Sequence, residues 1–394
     1  MPADLDPRDV LGIDAQLDET ELMIRDSVRR FVADRVLPDI AEWFEDGRFP
    51  VELAKELGDL GLLGMHLEGY GCAGTSATAY GLACQELEAG DSGFRSFVSV
   101  QGSLAMFAIH RYGSEEQKQQ WLPAMAAGEA IGCFGLTEAD AGSNPSAMRT
   151  TARRDGTDWV LDGSKMWITN GEVADVAVVW AQTGEPGDAS GIRGFLVPTD
   201  TPGFQANPIH HKLSLRASVT SELVLDGVRL PADAQLPEAE SLAGPLRCLN
   251  EARFGIVFGV AGAARACYES ALDYATTREQ FGRPIGGFQL QQAKLVDMLQ
   301  RVQRSQLVAL HLGRLKDAGQ LRHEQVSFGK LHNTNDALAV ARTARQVLGG
   351  SGITLEYPPI RHMNNLESVV TYEGTADIHT LVLGRAVTGL DAVT

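Results

Sequence analysis

The middle of this chain allows few folds. From about Gly132 to Asp233 it carries short runs rich in β-branched and aromatic residues: Asp158–Leu161, Lys165–Thr169, Val176–Ala181, Gly194–Pro198 and Glu222–Leu225. Nothing between them has a helical pattern. Asp162-Gly163, Asn170-Gly171 and Asp226-Gly227 bound several of the runs, and two-residue hairpin turns select such pairs. A compact antiparallel sheet or barrel is expected. A parallel sheet with crossover helices is not, because no helix separates the strands.

The flanks read differently. From about Asp18 to Ala127, Leu22, Ile24, Val28, Phe31, Val32 and Val36 place apolar groups largely on one helical face. Ser114 to Gln117 reads as a capping box that opens a helix toward Met125. Beyond about Leu242 long helices return. One runs from Gln289 toward Gly319, roughly 45 Å at 1.5 Å per residue. Another covers His323 to Val347 and stops at Gly349-Gly350, and a third runs from Ala376 to Val387. Short links between long helices predict a bundle. The expected fold is multidomain α+β: an N-terminal helical domain over 1–131, a central antiparallel β domain or barrel over 132–240, and a C-terminal helical bundle over 241–394.

Charge narrows the partners. A formal charge of −17 argues against nucleic acid, which needs a basic face, and against polybasic attachment to anionic lipid. No apolar run approaches the roughly 18 residues that span a bilayer. Met1 to Leu17 holds Asp4, Asp6, Asp9 and Asp14 where a leader peptide would want Arg or Lys. A cytoplasmic location is the expectation. The five cysteines are scattered, without a CxxC pair, and read as small buried apolar residues in a reducing compartment. The histidines show no ligand spacing, so no metal is expected.

Several local motifs have two readings. Leu348 to Ile353 is Gly-rich but follows a helix and lacks the GxGxxG spacing; it either caps that helix or lets backbone approach a ligand. Met166 to Gly171 sets Trp167 and Thr169 at a strand end. Trp167 reads locally as a buried core residue, though a flat aromatic beside a hydroxyl also suits a planar cofactor. Gly135 to Glu138 and Gly142-Ser143 offer hydroxyls and amides that can hold phosphate oxygens. Glu373 lies just before a helix, beside Val369, Val370 and Tyr372. It is either a capping or surface residue, or a carboxylate whose desolvation makes it a usable base. Arg95, with Ser96 and Ser99, sits on a mostly apolar helix. It either pairs internally, with Glu88 or Asp91, or binds an acid from outside.

Together, five blocks resemble the signatures of the acyl-CoA dehydrogenase family: Phe134–Ser143, Met166–Asn170, Arg278–Gly282, Gln346–Gly352 and Tyr372–His379. The resemblance spans about Asp18 to Gly389, in the same helical–β–helical order. Ser92–Gln101, Lys212–Ser218 and Thr371–Gly389 look most like the glutaryl-CoA dehydrogenase branch.

The resemblance implies a cofactor and a set of roles. FAD would sit where the β domain meets the C-terminal bundle. Phe134, Leu136, Thr137 and Ser143 would line its ring and pyrophosphate, and Trp167 and Thr169 would face the flavin. Thr375 and Asp377 would meet it from the last helix. Arg278, Phe281, Gln346 and Gly350 would reach the adenosine diphosphate half of a cofactor shared between subunits, implying a homodimer or a dimer of dimers, of which the homotetramer is the expectation. Asn250 and Arg253 would contact the coenzyme A arm. Glu373 would be the catalytic base, since Ala252 occupies the alternative position. Its backbone N–H and a flavin hydroxyl would hold the thioester oxygen. Arg95, with Ser96 and Ser99, would select a dicarboxylic acyl-CoA, and Glu88 and Tyr372 would mark a decarboxylating member. The reaction so implied is oxidative decarboxylation of glutaryl-CoA to crotonyl-CoA, with electrons leaving to an electron-transfer flavoprotein. A short-chain or non-decarboxylating acyl-CoA dehydrogenase is the alternative. The chain departs from the pattern at Ala89-Gly90, Asn144 and Gly171.

Overall fold

Asp18 opens the first helix. Its carboxylate accepts from the Glu21 N–H at 2.8 Å while the Glu21 side chain accepts from the Asp18 N–H at 3.0 Å, so two orphan donors are satisfied reciprocally. The computed structural model describes residues 5–392. The N-terminal part holds α1 (Glu19–Phe31), α2 (Ile40–Asp46), α3 (Ala54–Asp59), α4 (Ala77–Gly90), α5 (Ser92–Ser99), α6 (Phe107–Tyr112) and α7 (Glu115–Ala126). The capping box at Ser114 opens α7 as expected. Val28, Phe31, Val32 and Val36 are buried against α4 in the first core, whereas Leu22 and Ile24 are half-buried.

The central strands are β1 (Gly132–Gly135), β2 (Thr151–Asp155), β3 (Asp158–Thr169), β4 (Val176–Gln182), β5 (Ile192–Pro198), β6 (Phe204–Pro208) and β7 (Thr220–Leu230). They form one sheet in the order β1-β4-β2-β3-β7-β6, with β5 on β4. Most pairs are antiparallel, but β1 and β2 both run parallel to β4. Two expected hairpin turns are not turns. Asp162-Gly163 lies inside β3 and Asp226-Gly227 inside β7, facing each other at a register shift, where the Gly227 N–H donates to Asp162 at 2.8 Å. The Asx-Gly chemistry serves a bulge there: Gly163 and Gly227 both take positive φ, which a glycine supplies to an irregular ladder as readily as to a turn. Asn170, also at positive φ, ends β3 without a hairpin to the next strand. The chain reverses between β2 and β3 at Gly156 instead.

The C-terminal part begins with α8 (Ala243–Thr277). A small ribbon of β8 (Glu279–Gln280) and β9 (Arg283–Pro284) follows, then α9 (Gln289–Asp317), α10 (His323–Val347), α11 (Pro358–Val369) and α12 (Ala376–Thr388). The helices of this part pack around α8 and α10, while α4 packs on the other side of α8. That contact joins the two helical parts. Gly262 permits it, since a Cβ there would fall 1.8 Å from the Gln85 carbonyl. All five cysteines are free, and all but half-buried Cys72 are buried. Among the described residues no helix is long and apolar enough to cross a membrane.

Candidate active site

The site forms where α4, α5, α8, α10 and the turn before α12 converge. Asp91 caps α5, accepting from the Gly93 N–H at 2.7 Å, and thereby starts a new helix immediately after α4 ends. Its other oxygen accepts from Arg361 at 2.7 Å and from Asn365 at 2.8 Å on α11. This buried lock fixes the α4–α5 corner. Of the two partners expected for Arg95, Asp91 is therefore occupied elsewhere, and Glu88 is the one that pairs.

Arg95 and Glu88 are fully buried, with Nε donating to Oε2 at 2.7 Å. Ser92 Oγ donates to the other Glu88 oxygen at 2.8 Å. The second contact of Arg95 runs from Nη2 to the Tyr372 hydroxyl, and Ser96 Oγ lies 3.4 Å from that same oxygen. Burial works against the charge of Arg95, but Glu88 beside it holds the guanidinium firmly protonated. Burial also pushes Glu88 above the usual carboxylate range, with Arg95 opposing. Among the described residues Nη1 of Arg95 donates to nothing, and Ser99 Oγ, one helical turn away, is buried without a partner.

Glu373 sits at φ 53, followed by Gly374 at φ 95. Left-handed backbone is uncommon outside glycine and costs of order 1–3 kcal/mol in a non-glycine residue. Three carbonyls around this turn are held by cations. Lys330 Nζ donates to Tyr372 O and Gly374 O at 2.8 Å each, and Arg253 Nε donates to Glu373 O at 2.6 Å. Asn250 in turn accepts from Arg253 at 3.1 Å. These two residues, expected to touch the coenzyme A arm, thus brace the turn in this structure. Glu373 does not cap α12. Thr375 does, accepting from the Ile378 N–H at 3.2 Å.

The Glu373 carboxyl oxygen Oε2 is buried and unpartnered. Burial raises the Glu373 pKa above its ordinary value, against the opposing charges of Arg95, Lys330 and Arg253. The same burial draws Lys330 down to about 7 and pushes Tyr372 up to about 12. A raised carboxylate with a free oxygen in a desolvated site can accept a proton from carbon, which an ordinary hydrated carboxylate does poorly.

The residues expected around a flavin lie mostly at the mouth of the sheet. Phe134 and Leu136 are buried, and Thr137 and Thr169 half-buried. The Met166 N–H donates to Thr137 O at 2.8 Å and draws the two loops together. Trp167 is not the core residue that its surroundings suggest. A register shift between Lys165 and Ile168 turns it outward, to φ 65 and 60% exposure. The buried tryptophans are Trp180 and Trp159. Ser143 and Asp377 are exposed. Arg278, Phe281, Gln346 and Gly350 lie on the exposed surface of two separate elements, the β8–β9 ribbon and the end of α10. Phe281 is 93% exposed.

Sequence reasoning misses Lys330 and Gly259. Lys330 occupies an apolar helical stripe with Val326, Ala337, Ala341 and Ala344, and a lone charge there is the available signal. Gly259 leaves room for the buried pair: a Cβ would fall 2.1 Å from Glu88 Oε2.

Comparison with known proteins identifies the family over most of the chain. The profiles for the acyl-CoA dehydrogenase N-terminal, middle and C-terminal domains match residues 18–129, 133–228 and 244–388. A crystal structure of glutaryl-CoA dehydrogenase from Mycobacterium smegmatis is 68% identical over 98% of this chain and 99% of that one, with a TM-score of 0.96. Another from the same organism, in complex with FADH2, is 64% identical with the same coverage and TM-score. The mitochondrial short-chain specific acyl-CoA dehydrogenase of Bos taurus is 36% identical over 93% of this chain and 90% of its own length. With a helical–sheet–helical architecture and all three domains matched in order, the chain belongs to the acyl-CoA dehydrogenase family.

Proposed function

We propose that this acyl-CoA dehydrogenase is an FAD-dependent, decarboxylating glutaryl-CoA dehydrogenase. The observation that carries the substrate is the fully buried Arg95. Its Nη1 donates to nothing among the described residues, and Ser99 Oγ beside it lacks a partner. A five-carbon diacid thioester brings the carboxylate that these donors lack. One charged hydrogen bond is worth about 1.5–3 kcal/mol, or roughly 10- to 150-fold in preference. The two Mycobacterium smegmatis relatives, both named glutaryl-CoA dehydrogenases, support this choice.

The residues fit FAD. Trp167 is a large exposed aromatic held in left-handed backbone at a strand end, beside the half-buried hydroxyls of Thr137 and Thr169. Phe134 and Leu136 would line the ring system, Ser143 would meet phosphate, and Thr375 and Asp377 would approach from α12. When bound, FAD supplies the acceptor for the hydride leaving the β-carbon. Arg278, Phe281, Gln346 and Gly350 would reach the cofactor of a second subunit, in a dimer of dimers. Covering the exposed Phe281 would also offset its hydrophobic cost.

Glu373 takes the α-proton. Among the described residues its backbone N–H donates to nothing, so it is available to the thioester oxygen and favours the enolate that forms there. Dehydrogenation leaves the distal carboxylate vinylogous to the thioester carbonyl. Loss of CO2 then gives a dienolate, and the Glu373 carboxyl returns its proton at the γ-carbon to yield crotonyl-CoA. Arg95, Glu88 and Tyr372 orient the departing carboxylate. An electron-transfer flavoprotein would accept the electrons.

One observation favours a second reading. Arg95 is already neutralised by Glu88, so a neutral acyl chain would not leave it unpaired, and the Bos taurus relative is a short-chain enzyme. Turnover of glutaryl-CoA and butyryl-CoA, with an added artificial electron acceptor to reoxidise the flavin, separates the two. Glutaryl-CoA turning over at least tenfold faster, with crotonyl-CoA as product, supports the proposal. Equal rates, or release of glutaconyl-CoA, overturn it.

A further inference from the structure

We propose that Lys330 is a positioning residue for Glu373: by holding the carbonyls on both sides of it, Lys330 aims that residue's backbone N–H and carboxylate into the pocket. The inference rests on Glu373 being the base of the proposed function. Its geometry comes from the peptide bond. The Tyr372 carbonyl and the Glu373 N–H belong to one trans peptide and point in opposite directions. When Lys330 Nζ takes Tyr372 O at 2.8 Å, the Glu373 N–H is turned away from Lys330, and it donates to no group among the described residues. The second Lys330 bond, to Gly374 O at 2.8 Å, fixes the far end of the strained turn. Arg253 holds the carbonyl between them.

Only a side chain with several donors can serve two carbonyls at once, and the lysine ammonium has three. Lys330 grips backbone rather than the carboxylate. No Lys330–Glu373 ion pair within 4.0 Å forms among the described residues, so the carboxylate stays free to accept a proton. The charge still acts at longer range. Glu373 is faced by Lys330 of α10, Arg253 of α8, Arg95 of α5 and Glu88 of α4. Lys330 is faced by Glu373, Arg253 and Arg95, and the neutral imidazole of His379 on α12 packs under Gly374. Burial disfavours the ionised carboxylate, and Lys330 opposes that effect.

The test is Lys330→Met in the FAD-loaded enzyme, with Glu373→Gln as control. Flavin reduction by glutaryl-CoA is followed anaerobically from about pH 4.5 to 9, so that the whole acid limb is covered, with FAD content measured from absorbance. The expected variant holds FAD at the wild-type ratio and reduces it 10- to 100-fold more slowly at pH 7, the scale of a misaimed reacting group. Its acid limb moves up by about one pH unit, because an opposing charge has been removed. An unmoved acid limb overturns the proposal, whether or not the rate falls, since a merely structural lysine would not set that limb. If Lys330→Met fails to hold FAD, Lys330→Arg replaces it. The arginine keeps the charge, so its limb stays at the wild-type pH; a displaced limb, or loss of FAD by both variants, again overturns the proposal. Rapid reduction by Glu373→Gln would sink the assignment of the base itself. An inactive Glu373→Gln with an unmoved limb in Lys330→Met sinks only the role of Lys330.

Discussion

Arg95 and Glu88 stand on two helices separated by a one-residue break, yet their fully buried side chains meet at 2.7 Å. Asp91 makes the meeting possible. By capping α5 while bound to Arg361 and Asn365, it turns the chain so that Arg95 faces back onto α4.

Arg95→Met removes the donor proposed for the distal carboxylate and strands Glu88. Turnover of glutaryl-CoA is expected to fall roughly 10- to 150-fold more than that of butyryl-CoA. Equal losses, measured as kcat/KM, would mean that Arg95 only supports the fold. The single variant should also melt lower, because breaking a buried pair costs about 3–5 kcal/mol. Adding Glu88→Gln should recover much of that stability without restoring the selectivity.

Gly259→Ala tests the same pair from the far side. Its Cβ would lie 2.1 Å from Glu88 Oε2 and 3.2 Å from Arg95 Cγ. Overpacking of this kind costs about 1–3 kcal/mol, and the displaced Glu88 should raise KM for glutaryl-CoA more than for butyryl-CoA. Unchanged KM values for both would show that the pair does not touch substrate.

Acid should slow the chemical step earlier than an ordinary carboxylate would. Burial raises the Glu373 pKa in the folded enzyme, and the protonated form cannot take a proton. The rate of flavin reduction therefore falls as pH drops through a value above the usual carboxylate range of about 4.3. A single-turnover pH profile checks this, and a limb at or below that range would contradict it.

The helical frame is legible in the sequence because its signals are local. Ser114 with Gln117 fixes a helix start wherever it occurs, and the long helices from Gln289 and His323 follow from spacing alone. The strands are legible as segments, but their connections are not. Asp162-Gly163 and Asp226-Gly227 carry residues that suit a turn and a bulge equally, and only the partner strand decides between them. Trp167 defeats a local reading for the same reason: a register shift in the ladder turns a core-facing position to solvent. At the site, Glu373 and Arg95 stand out as charges in apolar surroundings. The carbonyl clamp does not, because Lys330 and Arg253 act on backbone atoms 42 and 120 positions away, and side-chain identity says nothing about such partners.

The most direct measurement is anaerobic mixing of Glu373→Gln with glutaryl-CoA, following the flavin absorbance. The variant should hold FAD and bind the thioester yet leave the flavin oxidised, while the wild-type protein bleaches rapidly and forms crotonyl-CoA. Rapid bleaching by Glu373→Gln would place the proton acceptor elsewhere and contradict the role of Glu373 as the base.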